Sequence, residues 1–283
     1  MKCKKETKKE TTIPSDLKVY PVKVDEDDLG EKCKEIIPDL VHFIVLLGKI
    51  RSGKSVLMQN LYLSPRFYGD DYDIKVLISP SVHNDTMLKH MVDSFDYVFD
   101  EYSEDLFQVI LDMIKNDEED NRYLLVMDDI MGDTGFVMKK NGKQDLFSST
   151  ITKFRHIGSE VLGTEGRLAI CLSCQRYKFL TPTIRQNVQG LHIMGSFPES
   201  ELKKIAEDYS FIGGSEKEFL RIFYESRKSP FDFTYINVPK LEAWRNYDEL
   251  LWSADAQYEN PEKIVNEMET ENKKEESEKN NIK

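Results

Sequence analysis

The stretch Leu47-Gly48-Lys49-Ile50-Arg51-Ser52-Gly53-Lys54-Ser55 decides how this chain is read. Gly48, Gly53, Lys54 and Ser55 complete the spacing G-x-x-x-x-G-K-[ST], a phosphate-binding P-loop. The apolar run Val41-His42-Phe43-Ile44-Val45-Leu46-Leu47 leads into it, and Ser55-Val56-Leu57-Met58-Gln59-Asn60-Leu61 suits a helix behind it. That strand–loop–helix context is what the motif requires. Glycines let backbone N–H groups turn inward around a β-phosphate, and the helix N-terminus adds partial positive charge. Gly48, Lys49, Ile50, Arg51, Ser52, Gly53, Lys54 and Ser55 are therefore the candidate nucleotide-binding residues. Lys54 is placed to reach the β- and γ-phosphates, and the Ser55 hydroxyl to ligate Mg²⁺.

Outward from the loop, strand-like and helix-like stretches alternate, which predicts an α/β fold with a largely parallel, helix-covered sheet. Asp73 to Pro80 reads as a strand closed by proline, Asp85 to Phe95 as a helix and Asp96 to Phe99 as a short strand. A helix from Ser103 to Lys115 carries Glu104 and Asp105 in its first turn. The run Tyr123-Leu124-Leu125-Val126-Met127 is apolar without a break, as in a strand buried on both faces, and it ends in Asp128-Asp129. This is the Walker B pattern. It assigns Asp128 to the Mg²⁺ shell and places Asp129 where a second carboxylate can polarise the attacking water.

Residues 131–149 read as a basic glycine-containing loop with Lys139, Lys140 and Lys143, and 145–156 as a helix. After a turn region at 158–166, the strand Arg167 to Ser173 ends in Cys174-Gln175-Arg176. Gln175 at that tip can sense a γ-phosphate or orient water. Thr181 to Asn187 starts a short helix with Pro182 early in it. Leu191 to Gly195 is a core strand, and 198–209 and 215–225 are helices, the latter with a Ser215-x-x-Glu218 capping box. Asp232 to Val238 is a late strand. The expected division is a disordered tail over 1–17, an ATPase domain over 18–240 with its core at 40–240, a helical extension over 241–265 and a disordered tail over 266–283.

Bulk properties exclude several classes. Among 283 residues the net charge is −12, which argues against a non-specific nucleic-acid coat but does not exclude DNA contact through a local basic loop. No apolar run approaches the ~20 residues of a membrane span, and the first residues lack the apolar region of a secretory signal. A cytoplasmic location is expected. Of four cysteines, Cys171 and Cys174 form a C-x-x-C pair. They lie three apart on a strand, hence on opposite faces, and no second pair completes a zinc site, which favours buried free thiols.

The P-loop, the Asp128-Asp129 strand, Phe154-Arg155-His156, Gln175 and Ile184-Arg185-Gln186-Asn187 occur in an order that resembles the viral DNA-packaging ATPases of the FtsK–HerA superfamily, particularly the poxvirus type. The resemblance covers roughly residues 40–240. It implies a RecA-like (ASCE) sheet with added C-terminal strands, in which another strand separates the P-loop and Walker B strands. It implies ATP and Mg²⁺ at Lys54, Ser55 and Asp128, with Asp129 as general base and Gln175 as polar sensor. It further implies a ring, usually a hexamer, with ATP sites between subunits, double-stranded DNA in the channel, and a capsid or portal partner. Arg155 or Arg185 would be the finger that reaches a neighbour's nucleotide; each also reads as a surface ion pair. His156 reads as structural. Such a motor would work in the host cytoplasm or viral factory, or with the virion. Two departures stand out: the second acid is Asp129 where many members carry Glu, and 158–166 resembles an insertion. Residues 131–147 read either as a DNA-contacting loop or as a surface loop. A nucleotide or small-molecule kinase and a non-translocating regulatory NTPase are the competing classes.

Overall fold

The sequence's apolar runs become the inner strands of one sheet in a computed structural model, which describes residues 35–83, 86–119, 121–130, 145–158 and 166–255. In chain order the elements are β1 (Phe43–Gly48), α1 (Lys54–Leu63), β2 (Ile74–Ile78), α2 (Thr86–Val92), β3 (Tyr97–Phe99), α3 (Glu104–Asn116) and β4 (Tyr123–Asp128). There follow α4 (Leu146–Ile151), β5 (Leu168–Cys174), α5 (Pro182–Gln186), β6 (Gly190–Met194), α6 (Glu199–Asp208), α7 (Glu216–Glu225), β7 (Phe233–Asn237), β8 (Glu242–Arg245) and β9 (Glu249–Ser253). The strand order is β3-β2-β4-β5-β1-β6-β7-β8-β9. Pairing is parallel from β3 to β6 and antiparallel from β6 to β9. β5 therefore separates the P-loop strand from the Asp128 strand.

Every residue of β1, β4 and β5 is buried, because helices cover both faces of the inner strands. Alternate side chains divide between two cores. Phe43, Val45, Leu47, Leu125, Met127, Ile170 and Leu172 meet apolar residues of α3, α4, α5, α6 and α7, including Phe107, Ile110, Phe147, Ile184, Ile205 and Phe219. Ile44, Leu46, Leu124, Val126 and Ala169 meet Leu57, Met58 and Leu61 of α1 with Leu88 and Met91 of α2. Each fully buried Leu, Ile or Phe contributes at most about 1.5–3 kcal/mol. Cys171 sits in one core and Cys174 in the other, both as free thiols. Burial pushes both thiols up to about 12.

The helix starts follow their caps. The Ser103 side chain accepts from Leu106 N at 3.1 Å, and the Ser215 side chain from Glu218 N at 3.2 Å. The helix expected over 145–156 is interrupted. α4 ends at Ile151, and a single 3₁₀ turn, Phe154–His156, follows. Hydroxyls explain the break: Ser149 Oγ and Thr150 Oγ1 both donate to Leu146 O, and Thr152 Oγ1 donates to Ser149 O. Such back-bonding offers the carbonyls an alternative to the helical ladder.

The expected helical extension over 241–265 is corrected for its described part. Residues 242–245 and 249–253 are β8 and β9, which extend the sheet beyond β7. A turn with Asn246 at φ 52° joins them, and Asn246 N donates to Phe233 O at 3.0 Å. The proposed tails at 1–17 and 266–283 lie outside the described residues, as do 256–265. Among the described residues no helix is long and apolar enough to cross a membrane.

Candidate nucleotide-binding site

Parallel strands deliver their C-terminal ends to one edge of the sheet, and that edge carries the P-loop, Asp128, Asp129 and Gln175. The loop after β1 turns on left-handed backbone at Arg51 (φ 64°) and at Gly53 (φ 97°), which is the N-cap of α1. Gly48 is required by close approach. A Cβ there would stand 2.4 Å from Ser52 Oγ and 2.9 Å from Met194 O. Lys54 is only 9% exposed, and its Nζ donates to Gly48 O at 2.7 Å and Lys49 O at 3.2 Å. The loop's own carbonyls thus hold the ammonium beside the backbone cradle. Ser55 follows in the first turn of α1, half-buried.

Two strands along the sheet from β1, Asp128 ends β4, is 4% exposed and accepts from Ser79 Oγ at 3.3 Å. Burial raises its carboxyl above the usual range. The Ser173 hydroxyl, Lys54 and Ser79 act against that rise, while the Asp129 charge adds to it. Asp129 takes left-handed backbone (φ 52°), and its N–H donates to Ser173 O at 3.2 Å. The turn brings its carboxylate to the residue after β5, where Gln175 Nε2 donates to Asp129 Oδ2 at 2.5 Å. Lys54, at the start of α1, is thus gathered with Asp128, Asp129 and Gln175 from the ends of β4 and β5.

The residues suit Mg²⁺ with a nucleoside triphosphate. Asp128 is a buried carboxylate that its burial disfavours as a charge, which an adjacent divalent cation would offset. Among the described residues no three His, Cys, Asp or Glu side chains could hold a metal by themselves. Mg²⁺ at such sites takes one or two protein ligands, with substrate phosphates and waters completing its shell.

The predicted arginines lie elsewhere. The Arg155 carbonyl accepts from Gly166 N at 2.9 Å, just before β5 begins, so Arg155 stands at the N-terminal end of the parallel strands. The seven residues of β5 put roughly 20 Å between it and Gln175. Its side chain is exposed and lies over the Phe154 ring. Arg185, on α5, is engaged within its own chain. Nη1 donates to Asp208 Oδ2 at 3.0 Å, Nε donates to Leu180 O at 2.8 Å, and the guanidinium stacks 4.6 Å from the Tyr177 ring centroid. The lysines at 139, 140 and 143 fall outside the described residues, as do residues 159–165 of the supposed insertion.

No protein-family model matches the chain. A curated relative, uncharacterized protein 088R of Invertebrate iridescent virus 3, is 25% identical over 210 residues, 72% of each chain. Among solved structures, the genome packaging NTPase B204 of Sulfolobus turreted icosahedral virus 2 with ATP-gammaS matches at a TM-score of 0.53 and 18% identity. The same NTPase with AMPPCP matches at 0.52 and 18%. Each alignment covers 74% of this chain and 98% of the other. The chain shares its fold with a viral genome-packaging NTPase.

Two neighbours of the site, Ser79 and Ser173, carry no motif of their own. Ser79 precedes the proline that closes the β2 run, and its hydroxyl donates to Asp128. Ser173 is the next-to-last residue of β5, and only its register opposite Asp128 places its buried hydroxyl beside that carboxylate. The position of each one residue beyond an apolar run was the available signal.

Proposed function

We propose that this chain is an ATP-hydrolysing motor of the FtsK–HerA type that moves double-stranded viral DNA into a capsid. The observation carrying this reading is the convergence of Lys54, Asp128 and the Asp129–Gln175 pair at the ends of three adjacent parallel strands. The shared fold with a genome-packaging NTPase supports the biological role.

The backbone from Gly48 to Ser55 would bind the phosphates, and Lys54 would stabilise negative charge on the transferring phosphoryl group. Ser55 and Asp128 would hold Mg²⁺, which supplies charge neutralisation when bound. Asp129 would take the proton of the attacking water, with Gln175 fixing the carboxylate that receives it. Arg155 is too far along its own sheet to serve its own P-loop. A finger role for it therefore requires a second copy, in keeping with a homo-oligomeric ring, for which a hexamer is the proposed form. Arg185 would first have to leave Asp208 and Tyr177. The channel loop is assigned to residues 131–147, and the motor to the host cytoplasm or viral factory, with a capsid or portal partner.

Phosphate release with and without double-stranded DNA, paired with native mass measurement, tests this. The proposal predicts a ring whose turnover rises on DNA. A monomer with undiminished DNA-independent turnover contradicts it and favours a kinase or a regulatory NTPase.

A further inference from the structure

Phe231 sits in a turn that ordinarily belongs to glycine. Asp232 N donates to Ser229 O at 3.2 Å, which closes a four-residue turn with Pro230 second and Phe231 third. Phe231 has φ 86° and is 75% exposed. Positive φ at the third position marks a type II turn, where Gly or Asn is at ease and a bulky side chain is strained. Burial does not offset that strain, because the ring is in solvent. Strain of this kind persists only where surrounding structure enforces it, and it gathers at ligand sites.

The surroundings do enforce it. The Asp232 carboxylate accepts from Lys228 N at 3.0 Å, Ser229 N at 2.7 Å and Asn246 Nδ2 at 3.2 Å. Arg227 Nη1 donates to Asp232 O, and its Nη2 donates to Ile193 O at 2.6 Å. The turn is thereby fastened both to β6 and to the β8–β9 turn.

Register explains where the ring stands. β7 runs antiparallel to β6, with Phe233 opposite Met194, so the residues just before β7 emerge at the P-loop edge of the sheet. Phe231 Cδ1 lies 3.7 Å from where a Cβ on Gly53 would stand, beside Met194 Cε at 3.5 Å. Asp128 and Asp129 occupy the β4 side of the loop. A triphosphate that turns its terminal phosphate toward those acids directs its nucleoside the other way, toward β6 and β7.

We infer that Phe231 is a stacking platform for the purine base of the bound nucleoside triphosphate. This rests on the reading of the P-loop as a nucleotide site. A ring displayed in solvent from a fastened turn stacks on a base without reordering the backbone, and stacking discriminates little between bases because each has a π-face. Adenine and guanine nucleotides should therefore bind with similar affinity, as far as this residue decides.

Calorimetric titration of the full chain with AMPPCP and with tripolyphosphate, both with Mg²⁺, tests the inference. Phe231→Ala should raise the Kd for AMPPCP about 5- to 100-fold and leave that for tripolyphosphate unchanged. Phe231→Trp should restore AMPPCP affinity. Phe231→Gly should keep or raise the thermal midpoint while weakening AMPPCP as Ala does, because glycine removes the strain. Unchanged AMPPCP affinity in Phe231→Ala overturns the inference. So does equal weakening of both ligands, which would make Phe231 a cover for the phosphate loop. A wild-type chain that binds neither ligand overturns the nucleotide-site reading itself, a result distinct from the other two.

Discussion

The Asp129–Gln175 contact makes the most specific prediction about chemistry. Gln175 Nε2 meets Asp129 Oδ2 at 2.5 Å, and left-handed backbone at Asp129 aims the carboxylate at it. A hydrogen bond to a charged partner is worth about 1.5–3 kcal/mol. If the bond serves to orient the base, Gln175→Ala should lower kcat by about 10- to 150-fold with little change in KM. Asp129→Asn removes the proton acceptor and should cost about 10²- to 10⁴-fold. Because Gln175 acts through Asp129, the double variant should be no slower than Asp129→Asn alone. Steady-state phosphate release at saturating ATP measures all three. Losses that multiply in the double variant would refute the shared role, and undiminished turnover in Asp129→Asn would remove Asp129 as base.

Further outcomes follow from the same geometry. Lys54→Ala, which takes away the charge beside the phosphate cradle, should lower kcat at least about 10²-fold in the same assay. Mixing Lys54→Ala with Arg155→Ala chains should restore turnover that neither has alone, if Arg155 serves a neighbour's site; no recovery would count against that role. Arg167 is 3% exposed and donates to the carbonyls of Ile114, Asp117, Glu119 and Gly158, closing the C-terminal end of α3. Arg167→Ala should cost about 3–5 kcal/mol in urea unfolding, since it strands the buried carbonyls of Ile114 and Gly158 and leaves the partly buried ones of Asp117 and Glu119 without their donor. Burial holds His42 down at about 4 and His192 at about 3 against an ordinary 6.5. The unfolded chain takes up these protons first, so stability is full above about 6.5 and falls as pH drops. At pH 5 the loss should be about 2 kcal/mol for each histidine, read from urea midpoints.

Much of the candidate site is legible in the sequence because its signals are local. Glycine spacing, two acids after an apolar run and a glutamine after another run survive without tertiary information, and inner strands announce themselves by unbroken hydrophobicity. Helices α3 and α7 were marked by Ser103 and Ser215. What escaped depends on distant partners. Trp244, Leu250, Leu251 and Trp252 suited a helix as well as strands, and pairing with β7 decided for strands. The fate of Arg185 turned on Asp208 and Tyr177, which its own sequence neighbourhood does not reveal. Phe231 reads as an ordinary loop aromatic until its φ and the β6–β7 register place it beside Gly53. The interruption after Ile151 reflects three hydroxyl side chains competing for helical carbonyls, a local cause that helix periodicity outweighed.

The proposed motor couples ATP hydrolysis at the P-loop to movement along double-stranded DNA. Displacement of a triplex-forming oligonucleotide from a linear duplex by the full chain tests it most directly. ATP-dependent displacement that is lost in Lys54→Ala is the expected result. Sustained ATP hydrolysis on the duplex with the third strand left in place would contradict it.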